Sequence, residues 1–324
     1  MGEMMELVSK LTSKEAEEYQ KNGCLCQEAL KNRIFCSRNA VWKVFGRLDA
    51  SDLLVVTNRR SLKDLKKTMD TAGIESFCCR QLSEKQIVRI ESADSVNRTC
   101  VLMNTSMISE SWCRPALAPL IHADDEVCVL AFSFFDDTKN LDDWNRQYAR
   151  GQGIWYRANT DVFFPYGLKE NQIHWVNYFT DTKEQMEAAI SNSSILLLTG
   201  GAPDLMMKRI KEKKLTRLLK NWQGLVIGYS AGAMIQLGDY HITPDEDYPE
   251  FKWCRGLCFQ QDFDIEAHYH GTRHQNRHIE RAISEKHLDT WAIEEKGGMI
   301  VGPKGKKSFF GAVHFFDGTA GTKQ

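Results

Sequence analysis

The chain has 324 residues, 42% apolar and 26% charged, the balance of a globular protein able to bury a full core. A formal net charge of −1 gives no basis for binding nucleic acid or an anionic membrane surface. No apolar run approaches the roughly 18 residues of a membrane span, and the acidic start Met1-Gly2-Glu3-Met4-Met5-Glu6 lacks the apolar segment of a secretion signal, so a cytoplasmic location is expected.

Residues 1–97 differ in character from the remainder of the chain. Ser13-Lys14-Glu15-Ala16-Glu17-Glu18-Tyr19 carries a capping signature and is expected to open a helix. Asp52 to Thr57 reads as a short buried strand, and Ser61 to Met69 has helical spacing that ends near Gly73. The basic residues Arg59, Arg60, Lys63, Lys66 and Lys67 read as a solvated helix face. No chemical constellation occurs in this N-terminal α/β extension, and its role is not legible.

From about residue 98 apolar runs and helical segments alternate. Strands are expected over Cys100–Ser106, Val127–Phe132, Ile173–Tyr178, Ile195–Thr199 and Leu225–Gly228. Helices are expected over Asp142–Arg150, Thr182–Ile190 and Asp204–Lys213. Continuous apolar strands between helices imply an α/β fold, a mostly parallel sheet covered by helices on both faces. Residues 98–324 are read as the catalytic domain. Ligands on such sheets gather at the carboxyl ends of strands, where Gly200-Gly201 and Ser230 both fall. The ten cysteines are scattered without a C-x-x-C pair and read as reduced thiols.

The run Gly224-Leu225-Val226-Ile227-Gly228-Tyr229-Ser230-Ala231-Gly232-Ala233 has the layout of a nucleophile elbow. Such a turn exposes the Ser230 hydroxyl and aims the Ala231 N–H where an oxyanion forms. The Gly201 N–H, after the preceding strand, is a candidate second donor. A serine nucleophile needs a base and a group that orients the base. Downstream lie the acidic loop Asp245-Glu246-Asp247 and a histidine-rich window containing His268, His270, His274 and His278. His268 is preferred to His270 as the base, because it sits in an apolar-flanked stretch and is followed by an aromatic residue. Asp245 is the expected orienting acid, with Asp247 and Glu266 as alternatives.

The segment from about 98 to 320 resembles the serine peptidase family of dipeptidase E (aspartyl dipeptidase) and cyanophycinase. The resemblance is carried by Met103-Asn104-Thr105-Ser106, Thr199-Gly200-Gly201, Gly228-Tyr229-Ser230-Ala231-Gly232-Ala233, Asp245 and Ile265-Glu266-Ala267-His268-Tyr269. It implies a class I glutamine amidotransferase-like fold and a cofactor-free triad of Ser230, His268 and Asp245. Gly201 and Ala231 would donate to the oxyanion. A small peptide substrate is implied, with an N-terminal aspartyl dipeptide as the first expectation. For the family's arginine that reads the substrate aspartate the candidates here are Arg273 or Arg277, or neither. The chain departs from the family's Gly-Gly-Asn-Thr run at Gly200-Gly201-Ala202-Pro203-Asp204, which changes the pocket floor.

Two other readings compete. His270, His274 and His278 are spaced to share a helix face and would be the core of a metal site. A relative of the fold with little turnover, binding a ligand or partner, is the other. Self-association into a homo-oligomer is left open.

Overall fold

Among the described residues of the first 97 there are four strands: β1 (Leu7–Lys10), β2 (Trp42–Leu48), β3 (Ser51–Thr57) and β4 (Ser76–Gln81). They pair antiparallel in the order β1-β3-β2-β4, and the strand expected at Asp52–Thr57 is β3. The computed structural model describes the backbone of these strands and residues 98–318. The helices expected at Ser13–Tyr19 and Ser61–Met69 lie outside the described residues. The chain divides into two compact units, Met1–Val96 and Asn97–Gln324.

In the larger unit the elements are, in order, β5 (Arg98–Met103), α1 (Arg114–Leu117), β6 (Val127–Leu130), α2 (Leu141–Tyr148), α3 (Tyr156–Thr160), β7 (Ile173–Val176), α4 (Lys183–Ser191), β8 (Ile195–Leu198), α5 (Pro203–Glu212), α6 (Thr216–Asn221), β9 (Gly224–Tyr229), α7 (Ala231–Met234), β10 (Asp239–Ile242), β11 (Lys252–Arg255), β12 (Phe263–Glu266), α8 (Arg273–Lys286), β13 (Asp289–Val301) and β14 (Lys307–Phe316). Eight strands form one sheet in the order β12-β13-β5-β9-β8-β6-β7, with β14 on β13. β5, β9, β8, β6 and β7 are mutually parallel, as β12 is to β13, whereas β13 runs antiparallel to both β5 and β14. The fold is therefore α/β with a mostly parallel, mixed sheet.

The apolar runs are continuous because both faces of these strands are covered. Successive side chains alternate between faces, so Leu196 and Leu198 enter one core with Met186, Ile190, Met206 and Ile210 from α4 and α5. Ile195 and Leu197 enter the other, with Leu117, Phe163 and Leu168. Each fully buried Leu or Ile contributes about 1.5–3 kcal/mol, which makes the central strands a rigid platform for the loops at their carboxyl ends. Among the described residues no helix is long and apolar enough to cross a membrane. The thiols of Cys100 and Cys113 are pushed up to about 11 by burial, which makes them poor nucleophiles.

Candidate active site

β9 ends at Tyr229 and α7 begins at Ala231, leaving Ser230 alone in the turn with φ 52° and ψ −118°. A left-handed φ in a residue with a side chain costs about 1–3 kcal/mol, and here surrounding contacts impose it. The Ser230 N–H donates to the Met103 carbonyl at 2.8 Å, and the Ser230 carbonyl accepts from the Ala233 and Met234 N–H groups at 2.9 and 3.0 Å.

The glycines of the elbow follow from backbone crowding. A Cβ at Gly228 would lie 2.1 Å from the Gly232 carbonyl oxygen, and one at Gly232 would lie 2.0 Å from that of Leu198. Both obstacles are main chain and cannot rotate away. Gly232→Ala, though favourable for a bare helix by about 1 kcal/mol, is therefore expected to destabilise the protein by at least about 1–3 kcal/mol. The urea midpoint measures this, and an unchanged midpoint would contradict the crowding.

The turn after β8 lies directly on the elbow. A Cβ on Gly200 would come within 3.2 Å of the Ser230 Cβ, and one on Gly201 would sit 2.3 Å from the Ser133 carbonyl oxygen. Ser133, just beyond β6, fixes this turn: its hydroxyl donates to the Gly200 carbonyl at 2.6 Å, and its carbonyl accepts from the Ala202 N–H at 2.6 Å. Ser230, Gly201 and His268 line one cavity of about 490 Å³.

β12 stops at Glu266, and His268 stands in the following turn at φ 51°. Gln275, in the first turn of α8, clamps that turn. Its amide donates to the His268 carbonyl at 2.8 Å, and its side-chain oxygen accepts from the His270 N–H at 2.9 Å. The His268 Nδ1 is hydrogen-bonded to Glu295 Oε1 at 2.5 Å, both side chains being about half exposed.

Sequence reasoning missed Glu295. It belongs to β13 where the pairing with β14 shifts register between Ile293 and Gly297, so the backbone there turns out of the regular pleat. The buried Asn104 amide holds this bulge by donating to the Ile293 carbonyl at 2.5 Å and to that of Glu294 at 3.0 Å. The end of β5 thus ties two parts of the site together, with Met103 bonded to the elbow and Asn104 to the bulge.

Asp245, expected to orient His268, is bonded elsewhere. Its Oδ1 accepts the N–H groups of Asp247 and Tyr248 at 2.9 and 2.8 Å, closing a tight loop on the cavity wall. Glu266 is also committed, because its Oε2 accepts from Thr243 Oγ1 at 2.7 Å and pairs with His241 Nε2 at 2.8 Å.

The other ring nitrogen of His241, Nδ1, lies 2.5 Å from Asp264 Oδ2. All three members of this cluster are buried. Burial pulls the imidazole down, but the two carboxylates outweigh it and hold His241 at about 10, against 6.5 for a free ring. A folded pKa above the unfolded one means that the cluster's contribution is fully present below about pH 6.5 and fades as pH rises through about 10. The urea midpoint should fall from neutral to alkaline pH across that window. His241→Gln is expected to cost about 3–5 kcal/mol at neutral pH and to flatten the dependence, since it leaves buried carboxylates uncompensated. A midpoint independent of pH in the wild type would contradict this.

Arg273 and Arg277 do not reach the cavity. With Glu280 and Ser284 they form the exposed stripe of α8, opposite the buried Ile279, Ala282 and Ile283, whereas Thr272, His274 and Gln275 line the cavity. Of the histidines spaced for a metal site, His274 and His278 each have a ring nitrogen bonded within the fold. The His274 Nε2–H donates to the Pro244 carbonyl at 2.9 Å, and the His278 Nδ1–H to the His274 carbonyl at 2.9 Å. Among the described residues no group of three or more His, Cys, Asp or Glu is placed to hold a metal ion.

No curated protein matches the chain. Among solved structures, a putative peptidase E protein from Listeria monocytogenes EGD-e aligns with a TM-score of 0.45 and 14% identity, over 68% of this chain and 98% of that one. A peptidase from an acI-B1 Actinobacterium aligns with a TM-score of 0.44 and 12% identity, over 69% of this chain and 93% of that one. The family model that matches is that of peptidase family S51, over residues 151–302, a stretch that contains Ser230, His268 and Glu295.

Proposed function

We propose that the protein is a serine peptidase that cleaves small peptides through Ser230, His268 and Glu295. One observation carries the reading. Ser230, held at a strained left-handed φ, opens into the same cavity as His268, whose remote ring nitrogen is already bonded to a carboxylate. In the proposed cycle His268 Nε2 takes the Ser230 proton as Oγ attacks the scissile carbonyl carbon. Glu295 keeps the Nδ1–H tautomer and stabilises the imidazolium that forms. The N–H groups of Gly201 and Ala231 receive the developing oxyanion. His268 then returns the proton to the leaving amine, and water, activated by the same imidazole, releases the acyl group from Ser230.

The cavity volume suits a dipeptide or tripeptide rather than a folded protein. An N-terminal aspartyl dipeptide remains the first substrate to assay on the family resemblance, although Arg273 and Arg277 lend it no support. Reaction with a neutral fluorophosphonate should leave one phosphonyl group on Ser230 by mass spectrometry and abolish dipeptide hydrolysis, with chelator having no effect. Hydrolysis that persists in fully labelled protein, or peptide binding without any turnover, would overturn the reading.

A further inference from the structure

The cluster of His241, Asp264 and Glu266 is not used by the chemistry above, yet His241 and Glu266 line the same cavity as Ser230. Both ring nitrogens of His241 bond to carboxylate oxygens, which requires two protons on the ring or shared with the acids. Wherever those protons sit, one imidazole and two carboxylates then carry a net charge of about −1 in a buried place. Glu266 is the member that meets the cavity. Its Oε2 is occupied twice, by His241 and Thr243, and among the described residues no hydrogen bond is made to Oε1. The residue is only 4% exposed, so water reaches that oxygen only through the cavity.

The rest of the wall does not neutralise this charge. Asp245 and Asp247 face the same space, and among the described residues no lysine or arginine lines it. His274 has committed its Nε2–H to the Pro244 carbonyl, His268 is paired with Glu295, and His270 is a single further imidazole against the three carboxylates of Glu266, Asp245 and Asp247. A half-satisfied carboxylate in a low-dielectric wall, rigidly held on one side, favours a cation on the other.

We propose that Glu266, fixed by His241 and Thr243, binds a cationic nitrogen of the substrate beside the nucleophile, the free amino terminus in the first instance and a basic side chain in the second. This deepens the peptidase reading and rests on it for the identity of the ligand as a peptide. The anchor explains why Glu266 is withheld from His268: its role is to hold charge and position.

The test is a binding measurement, which separates the anchor from the chemistry. Calorimetry on the full-length Ser230→Ala protein compares Ala-Leu, N-acetyl-Ala-Leu and N-acetyl-Lys-Leu. Blocking the amino terminus of Ala-Leu should weaken binding by about 100-fold, the scale of a lost charge-assisted hydrogen bond. Recovery of affinity in N-acetyl-Lys-Leu assigns the site to side-chain cations, and continued weak binding assigns it to the amino terminus. In Ser230→Ala/Glu266→Gln the preference for the free over the acetylated peptide should shrink to a few-fold. Thr243→Val, which leaves the buried ion cluster intact, should reduce the preference by a smaller factor if the glutamine variant fails to fold. Equal binding of free and acetylated Ala-Leu would overturn the anchor and leave the nucleophile untouched. Preferential binding of the free peptide by a protein whose native Ser230 resists fluorophosphonate would support the anchor and sink the peptidase chemistry.

Discussion

Ser230→Ala should lower kcat on a cleavable dipeptide by about a million-fold, to the residual rate that binding and oxyanion donors sustain alone, with little change in KM. The size of the effect follows from the absence of any second route. In the proposed cycle His268 serves a nucleophile held above the sheet by the elbow, and removing that oxygen leaves water unpositioned. Structure and chemistry can be separated by comparing two substitutions. Alanine keeps a Cβ at φ 52° and therefore keeps the strain, whereas Ser230→Gly relieves it and should raise stability by about 1 kcal/mol while being equally inactive. Thermal or urea unfolding beside a product assay by chromatography reads both quantities. Activity within tenfold of wild type in Ser230→Ala would remove the serine from the mechanism. A glycine variant less stable than the alanine variant would show that the turn is not strained in solution.

Much of this site was legible because close packing leaves few choices of residue. The apolar runs of β5, β6, β8 and β9 announced strands buried on both faces, and each occurs within a few residues of its expected bounds. The elbow was legible for the same reason, since Gly228 and Gly232 sit where main chain crosses main chain. The carboxylate that meets His268 was not, because its position depends on long-range pairing. Glu295 reaches His268 through a bulge in β13, and β13 is placed by β5, β12 and β14 from distant parts of the chain. A signal did exist: Glu294-Glu295-Lys296-Gly297-Gly298 interrupts an otherwise apolar strand, the pattern of a bulge. The expectation for Asp245 came instead from its place downstream of the elbow and from the family resemblance, neither of which fixes a distance. Arg273 and Arg277 misled through charge density, which cannot tell the cavity side of a helix from its solvent side until Ile279, Ala282 and Ile283 fix the buried face.

Glu295, the proposed orienting acid, makes the sharpest mutational contrast. Glu295→Gln keeps the side-chain length but removes the charge that stabilises the imidazolium and fixes the ring tautomer. A drop in kcat of about 10⁴-fold with KM nearly unchanged is expected, the size of effect known when a triad carboxylate becomes an amide. Asp245→Asn should stay within a few-fold of wild type, since an asparagine oxygen can still accept from the Asp247 and Tyr248 N–H groups. Asn104→Ala probes the support beneath Glu295. Losing both amide donations to the Ile293 and Glu294 carbonyls frees the bulge, and kcat should fall by about 10–100-fold while KM holds. A purely structural role for Asn104 would lower the unfolding midpoint without changing kcat of the folded fraction. Near-normal turnover in Glu295→Gln together with loss in Asp245→Asn would return the orienting role to the acidic loop and would require that loop to close on His268 when substrate binds.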